Sequence, residues 1–367
     1  MINHFRLLIF ILLIAPGFRF YEKNTREPLH FSMKKEWQEV TLTEDKFSFL
    51  GLDSVMNHSV LLLSNELNEP KLFYCDLETA VCADGECRLA RIKIYWNLLG
   101  NYVGYGIHSD EPLTKYDHDP FLKDDYDKLH RLFQDNNSVL RRKTMYELVD
   151  KVPIDPESEE KYKGVDGMTS ATKKDIADAV VKGGLYSCYT LWHLIHGEAK
   201  EKIKSHLKSI ETDSLNTYFL YSDYKDYQLH ALKYLSKEGF TKHSSQVTKI
   251  FKEAPPMVRT YILKKMPDEM LAQNKVSQDL YNDFVSVGVN SRTQLVSKLK
   301  AASEYGPETV SNHLGLLTRN QLKSYLGFFT DNPEKLTESI ASKLNQAAKS
   351  KSLTYGYLVE QFLENKN

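Results

Sequence analysis

Hydrophobic positions along this chain pass from a strand-like to a helical period, and each period predicts a different kind of element. From about residue 20 to 107, apolar positions alternate with polar ones or gather in short runs, the period-two signature of strands. Phe47–Leu52 and Val60–Leu63 are such runs, set among polar turns. RLARIKIYW places Leu89, Arg91, Lys93 and Tyr95 opposite Ala90, Ile92, Ile94 and Trp96, which predicts a half-buried strand. NLLGNY, with Gly100, supplies a turn, and YVGYGI returns as a second strand of a hairpin. Over 109–143 the period becomes helical, with Phe121, Tyr126, Leu129, Leu132 and Phe133 near one face. A polar loop carrying Pro153 and Pro156 runs to Gly164. Two helix-like stretches then follow a turn-rich start and break at Gly183-Gly184.

Beyond Glu198 the pattern stays helical. Stretches of helical periodicity are centred on Tyr227–Leu235, Met257–Met266, Ser291–Leu299 and Thr318–Phe329. Their centres lie roughly 27–33 residues apart, near the spacing of helix-pair repeats. Scattered Gln-Leu and Arg positions recur, without a residue-level consensus. A HEAT-like array or a plain helical bundle fits this spacing.

The first 18 residues, MINHFRLLIFILLIAPGF, hold one Arg and then an apolar run from Leu7 to Ala15. A run of about nine apolar residues suits the h-region of a signal peptide and is too short to span a bilayer. An uncleaved membrane anchor is the alternative. Export to a periplasmic or extracellular compartment is expected, with no membrane span once the signal is removed. The organisation expected is a signal peptide over 1–18, a β-rich lead-in over 19–84, an α+β domain over 85–198 and an all-α region over 199–367.

Composition narrows the partners. Lys and Arg number 48 against 49 Asp and Glu, a net charge of −1, so no overall basic field favours nucleic acid. The charge is uneven: residues 101–160 hold 14 acidic and 8 basic side chains, and 241–367 hold 12 acidic and 17 basic. Of the four cysteines, Cys75, Cys82 and Cys87 lie close together, with an Asp84-Gly85 turn between the last two. In an oxidising compartment these three are the disulfide candidates, Cys87 pairing with Cys82 or Cys75. A zinc site would need a fourth ligand and a C-x-x-C pair. Cys188 reads as a buried or disulfide-linked thiol rather than a catalytic one.

The stretch carrying candidate chemistry is Asp166-Gly167-Met168-Thr169-Ser170-Ala171-Thr172. Small and hydroxylated residues leading into a helix near Lys173 offer free backbone N–H groups to a phosphate. The same residues suit a plain helix cap, with Thr169, Ser170 or Thr172 satisfying the first turn.

VDGMTSAT resembles the D-x-x-[ST]-G-A-T motif of FMN-binding domains in exported flavoproteins. These include the covalently flavinylated components of sodium-pumping quinone reductases and of Rnf complexes. The resemblance implies that Thr172 is esterified to the FMN phosphate by a flavin transferase of ApbE type. Asp166 would hold the turn, and Thr169, Ser170 and Ala171 would complete it; Ser170 stands where the family has Gly. ARIKIYWNLLGNYVGYGI is similar to the strand–turn–strand that precedes the family's ligand loop. HSDEPLTKYDHDPFLKDDY is similar to that loop and the helix after it, through Glu111, Pro112 and Leu113. In all, the resemblance covers residues 85–195.

A flavin needs a flat apolar slot with a few polar contacts. Tyr95, Trp96, Tyr102, Tyr105, Tyr186, Tyr189 and Trp192 supply aromatic surface, most of it expected in ordinary core. Lys115 and His118 are candidates to meet the isoalloxazine or the ribityl chain. His193 and His196, three apart on one helix, read as a helix face rather than metal ligands. Asp117, Asp119, Asp124, Asp125 and Asp127 lack a calcium-loop spacing and read as a solvated face. The sequence therefore points to an exported FMN-dependent electron carrier. The alternative is an exported helical-repeat interaction protein whose FMN-binding-like domain is structural.

Overall fold

The computed structural model describes residues 18–20, 40, 42–52, 56–81, 89–108, 110–115, 118–148 and 174–366. The apolar run Leu7–Ala15, Cys82, Cys87 and the whole 166–172 motif lie outside these described residues. The chain forms two compact units, residues 1–210 and 211–367. The first is α+β and the second all-α, as the periodicity predicts.

The first unit is built on a six-stranded antiparallel meander, in the order β1 (Phe18–Phe20), β2 (Leu42–Leu50), β3 (Asn57–Ser64), β4 (Pro70–Thr79), β5 (Ala90–Asn97) and β6 (Tyr102–Ile107). β4 and β5 pair from Leu72–Asn97 to Thr79–Ala90 without interruption. One sheet therefore runs through the boundary expected at 84/85, because both strands are central and share one ladder.

Register sorts the side chains. Phe73 lies opposite Trp96, Cys75 opposite Ile94 and Leu77 opposite Ile92, and all six are fully buried on one face. The other face carries Asp76, Glu78, Arg91 and Lys93 and is partly solvated. The half-buried strand expected over 89–96 holds up to Lys93. Tyr95 departs from it, 2% exposed, because Tyr74 opposite covers it with ring centroids 5.1 Å apart. The hairpin turn between β5 and β6 forms as expected. Gly100 takes φ +74°, and Asn97 Oδ1 accepts from the Leu99 and Asn101 amides. A side chain at Gly100 would also meet the Lys200 carbonyl at 3.1 Å.

Among the described residues, four α-helices complete this unit: α1 (Lys123–Gln134), the single turn α2 (Lys174–Ala177), α3 (Leu185–His196) and α4 (Glu198–Ile210). The break expected at Gly183-Gly184 separates α2 from α3, with Gly183 at φ +78°. Helix α3 is buried nearly all round, as a helix apolar on every side must be. It is tied to the sheet by Trp96 Nε1, which donates to the Ile195 carbonyl at 3.0 Å. Helix α4 packs on α3 and β2, and its His206 lies edge-on to Phe73. That packing carries the first unit past the boundary expected at 198/199, to residue 210.

The second unit contains α5 (Asp213–Tyr221), α6 (Lys225–Tyr234), α7 (Lys237–Lys242), α8 (Ser244–Glu253), α9 (Pro256–Lys265), α10 (Asp268–Leu271), α11 (Asn274–Tyr281), α12 (Val289–Ser297), α13 (Tyr305–Ser311), α14 (Arg319–Asp331), α15 (Glu338–Lys349) and α16 (Gly356–Glu364). Its packing is layered. Helix α8 packs on α11, α11 on α13 and α13 on α15, while α9 packs on α12, α12 on α14 and α14 on α16. Buried tyrosines bind backbone within it: the Tyr281 hydroxyl donates to the Leu295 carbonyl at 2.8 Å and the Tyr325 hydroxyl to that of Pro307 at 2.9 Å.

The helical stretches legible from Met257 onward are α9, α12 and α14, all from one layer. The facing layer gives a weaker signal in the sequence. Its α11 and α13 are only eight and seven residues long, and α13 contains Gly306 and Pro307, which mask a helical period.

Candidate functional site

The loop after β6 folds back on itself. Thr114 bridges to Pro120, Lys115 N donates to the Asp119 carbonyl at 2.7 Å, and Phe121 N donates to that of Leu113 at 2.7 Å. His118 sits at the tip, exposed, at φ +62°, a left-handed conformation that a non-glycine residue adopts seldom. Lys115 Nζ lies 2.7 Å from Asp125 Oδ2, and that oxygen also accepts from the Leu122 amide at 2.8 Å. One carboxylate therefore caps α1 and neutralises the lysine. The sequence gives no sign of this pairing: Asp125 belongs to an acidic run, and a lysine ten positions before it has no periodic relation to it. Asp124 and Asp125 occupy the first turn of α1, where negative charge complements the helix dipole.

Behind the loop lies an aromatic cluster. The Tyr126 hydroxyl accepts from the Leu113 amide at 3.1 Å, and its ring stacks on Tyr105 with centroids 6.2 Å apart. The Tyr102 hydroxyl is 2.8 Å from His130 Nδ1, whose Nε2 lies 3.1 Å from Gln134. Burial pushes the Tyr102 phenol well up, so it stays protonated and can share a proton with the imidazole.

The chain leaving the 166–172 motif packs on the turn Val139–Arg142 that follows α1. Helix α2, Lys174–Ala177, lies where the sequence places a helix near Lys173, and Lys128 of α1 donates to its Ala177 carbonyl at 3.4 Å in an exposed bond. Gly184, just before α3, lies directly against the ring of Phe121. The candidate loop and the exit of the motif thus meet on α1. Thr172, Asp166, Thr169, Ser170 and Ala171 themselves fall outside the described residues.

The other candidates resolve into core. Trp96, Tyr105, Tyr102, Tyr186, Tyr189 and Trp192 are all buried. Trp192 Nε1 donates to the Asp135 carbonyl at 3.0 Å, and the Tyr189 hydroxyl to that of Lys143 at 3.1 Å. His193 Nε2 and His196 Nε2 reach the carbonyls of Leu140 and Phe133, at 3.1 and 2.9 Å, and burial lowers both pKa values, that of His196 to about 4. These histidines tie α3 to the end of α1 and the turn after it, as the helix-face reading expects. Among the described residues no group of three His, Cys, Asp or Glu is placed to hold a metal.

Cys75 is a free thiol closed inside the sheet, with its pKa raised by burial. Of the three disulfide candidates, Cys75 is thus unpaired, and Cys82 and Cys87 lie outside the described residues. The Cys188 sulfur accepts from the Val181 amide at 3.4 Å. No described helix is long and apolar enough to cross a membrane. No family model matches the chain, and comparison with curated proteins and with solved structures returns no match.

Proposed function

We propose that this protein is an exported flavoprotein that carries electrons through FMN, esterified to Thr172 by a flavin transferase of ApbE type. The likeness of VDGMTSAT to the FMN-attachment motif is the root of the reading. The observation that carries it further is the anchoring of α2. The chain that leaves the motif packs on the turn after α1 and takes a bond from Lys128 of α1, the helix whose Asp125 also holds Lys115 of the candidate loop. Tyr126, half-buried with its ring 5.6 Å from that of the buried Phe121, would offer the aromatic wall that an isoalloxazine ring requires. Asp166, Thr169, Ser170 and Ala171 would shape the phosphate turn, and Thr172 would supply the ester oxygen. FMN held covalently would survive in a periplasmic or extracellular setting, where lost cofactor is not replaced.

The test is co-expression with a competent transferase, then denaturation, washing, flavin fluorescence and intact mass. Wild type should carry the added mass of one FMN less water. Thr172→Ala should lose it and Thr172→Ser keep part of it. A wild-type protein without flavin after this treatment overturns the covalent assignment.

The layered stacking of the second unit supports a HEAT-like array that engages a protein partner. An interaction role for that unit is the second reading, and it stands with or without flavin.

A further inference from the structure

The second unit, residues 211–367, contains three arginines, Arg259, Arg292 and Arg319. Each falls in the opening turn or so of a helix of the same layer, α9, α12 and α14. A cation there opposes the helix dipole, so helix stability alone does not account for this repeated placement. An exposed apolar side chain stands two or three positions before each: Met257 at 86% exposure, Val289 at 49% and Leu316 at 40%. Tyr357, at 45%, continues the series at the start of α16.

These helix starts lie side by side. Gln321 Nε2 donates to the Val289 carbonyl at 2.9 Å and to Thr293 Oγ1 at 2.8 Å, joining the first turns of α14 and α12. Arg319 Nε donates to the Tyr357 hydroxyl at 3.1 Å, joining α14 to α16. Lys298 Nζ donates to the Met266 carbonyl at 3.1 Å, joining the C-terminal ends of α12 and α9. The layer is therefore parallel, and its N-terminal edge is a line of alternating apolar and guanidinium groups. No carboxylate among the described residues pairs with any of the three arginines. By contrast, three lysines of the facing layer are ion-paired: Lys252 and Lys275 share Asp279, and Lys343 pairs with Glu308. Arg259 is partly spent on the Phe251 and Lys252 carbonyls, at 3.0 and 2.6 Å, where it caps α8. Arg319 is exposed, and Arg292 Nε is buried without a hydrogen-bond partner.

We propose that this edge is a docking line for an extended, acidic segment of a partner protein, apolar at every third residue. Charge complementarity fixes the sign: Arg259, Arg292 and Arg319 stand at the starts of α9, α12 and α14, and the first turns of these helices and of α16 hold no Asp or Glu. Geometry fixes the spacing. Neighbouring packed helices sit about 8–10 Å apart. A polyproline-type strand has three residues per turn and advances about 3.1 Å per residue, so every third side chain returns to one face after about 9 Å. Apolar residues at that interval match Met257, Val289, Leu316 and Tyr357, while carboxylates between them meet the guanidinium groups. A line of single apolar groups also suits a peptide better than a membrane, which favours a broad apolar face.

The test uses the full mature chain and fluorescein-labelled synthetic peptides read by anisotropy. The probe is four repeats of Leu-Glu-Glu; the controls are the same length of Leu-Lys-Lys and of Ser-Glu-Glu. Only the first should bind saturably. Arg292→Gln with Arg319→Gln should weaken it by about tenfold or more, and Leu316→Ser with Tyr357→Ser by a similar factor. Helical circular dichroism should be unchanged in both variants. Binding that ignores the sign of the peptide's charge, or that survives both double substitutions, overturns the proposal. So does capture of the protein by phosphatidylglycerol vesicles in preference to the acidic peptide. Flavin content, measured on the same samples, reports on the first unit separately.

Discussion

Trp96 on β5 and Ile195 on α3, 99 positions apart in the chain, share one buried hydrogen bond of 3.0 Å from the indole N–H to the backbone carbonyl. The bond satisfies a carbonyl near the end of α3, where helical partners run out, and fixes that helix over the sheet. Phenylalanine keeps most of the apolar contact but leaves the carbonyl unpaired in a dry site. Trp96→Phe should therefore destabilise the first unit by about 1–3 kcal/mol, read as a lower urea midpoint with little change in slope.

His196 and His193 face the same interface from α3. Burial favours their neutral forms, with the His196 pKa lowered from 6.5 to about 4. The unfolded chain binds a proton on His196 below about 6.5, whereas the folded chain resists it down to about 4. Stability is thus present at neutral pH and is lost as pH falls through that window. Urea titrations from pH 7.5 to 4.5 should show this decline, and His196→Gln, which keeps an N–H for the Phe133 carbonyl, should flatten it. A slope unchanged by the substitution would locate the pH dependence elsewhere.

Gly184 has no room for a side chain, since a Cβ there would stand 2.7 Å from Phe121 Cζ. Gly184→Ala must push Phe121 out of the junction between the candidate loop and α3. A cost of about 1–3 kcal/mol is expected, and Phe121→Leu in the same chain should recover part of it.

Gln321 is a buried amide at 3% exposure, bonded within the second unit to the Val289 carbonyl, Thr293 Oγ1 and the Thr318 amide. Gln321→Leu fills the same space but removes all three bonds and leaves the Thr318 amide without its acceptor, while the Val289 carbonyl and Thr293 Oγ1 keep their bond to each other. It should lower the thermal midpoint through a loss of about 1–3 kcal/mol. The flavin content of the protein should not change.

Cys75 is sealed between strands as a protonated thiol, and the thiolate is the reactive form. Iodoacetamide should leave it unmodified in native protein and label it once the chain is denatured. Peptide mapping under native conditions that finds Cys75 alkylated would contradict its place in the core.

Much of this architecture is local in origin and is therefore legible in the chain itself. Alternation through Ala90–Trp96 and the positive-φ glycines at 100 and 183 fix the hairpin and the break before α3. The helical period beyond residue 198 announces an all-α region, because amphipathicity repeats within a few residues. The apolar run Leu7–Ala15 and the stretch Asp166–Thr172, on which the proposed function rests, are likewise patterns of contiguous residues.

Other features exist only once distant segments meet. A strand does not reveal in its sequence which strand it will pair with, so the single sheet across 84/85 follows from β4–β5 register alone. Asp125 becomes the partner of Lys115 only when the loop after β6 folds onto α1. His193 and His196 acquire lowered pKa values because α3 is buried against the backbone of α1 and the turn that follows it. The three arginines of the second unit are scattered letters in the chain. Parallel stacking of α9, α12, α14 and α16 aligns them into one edge, and no local pattern encodes that alignment.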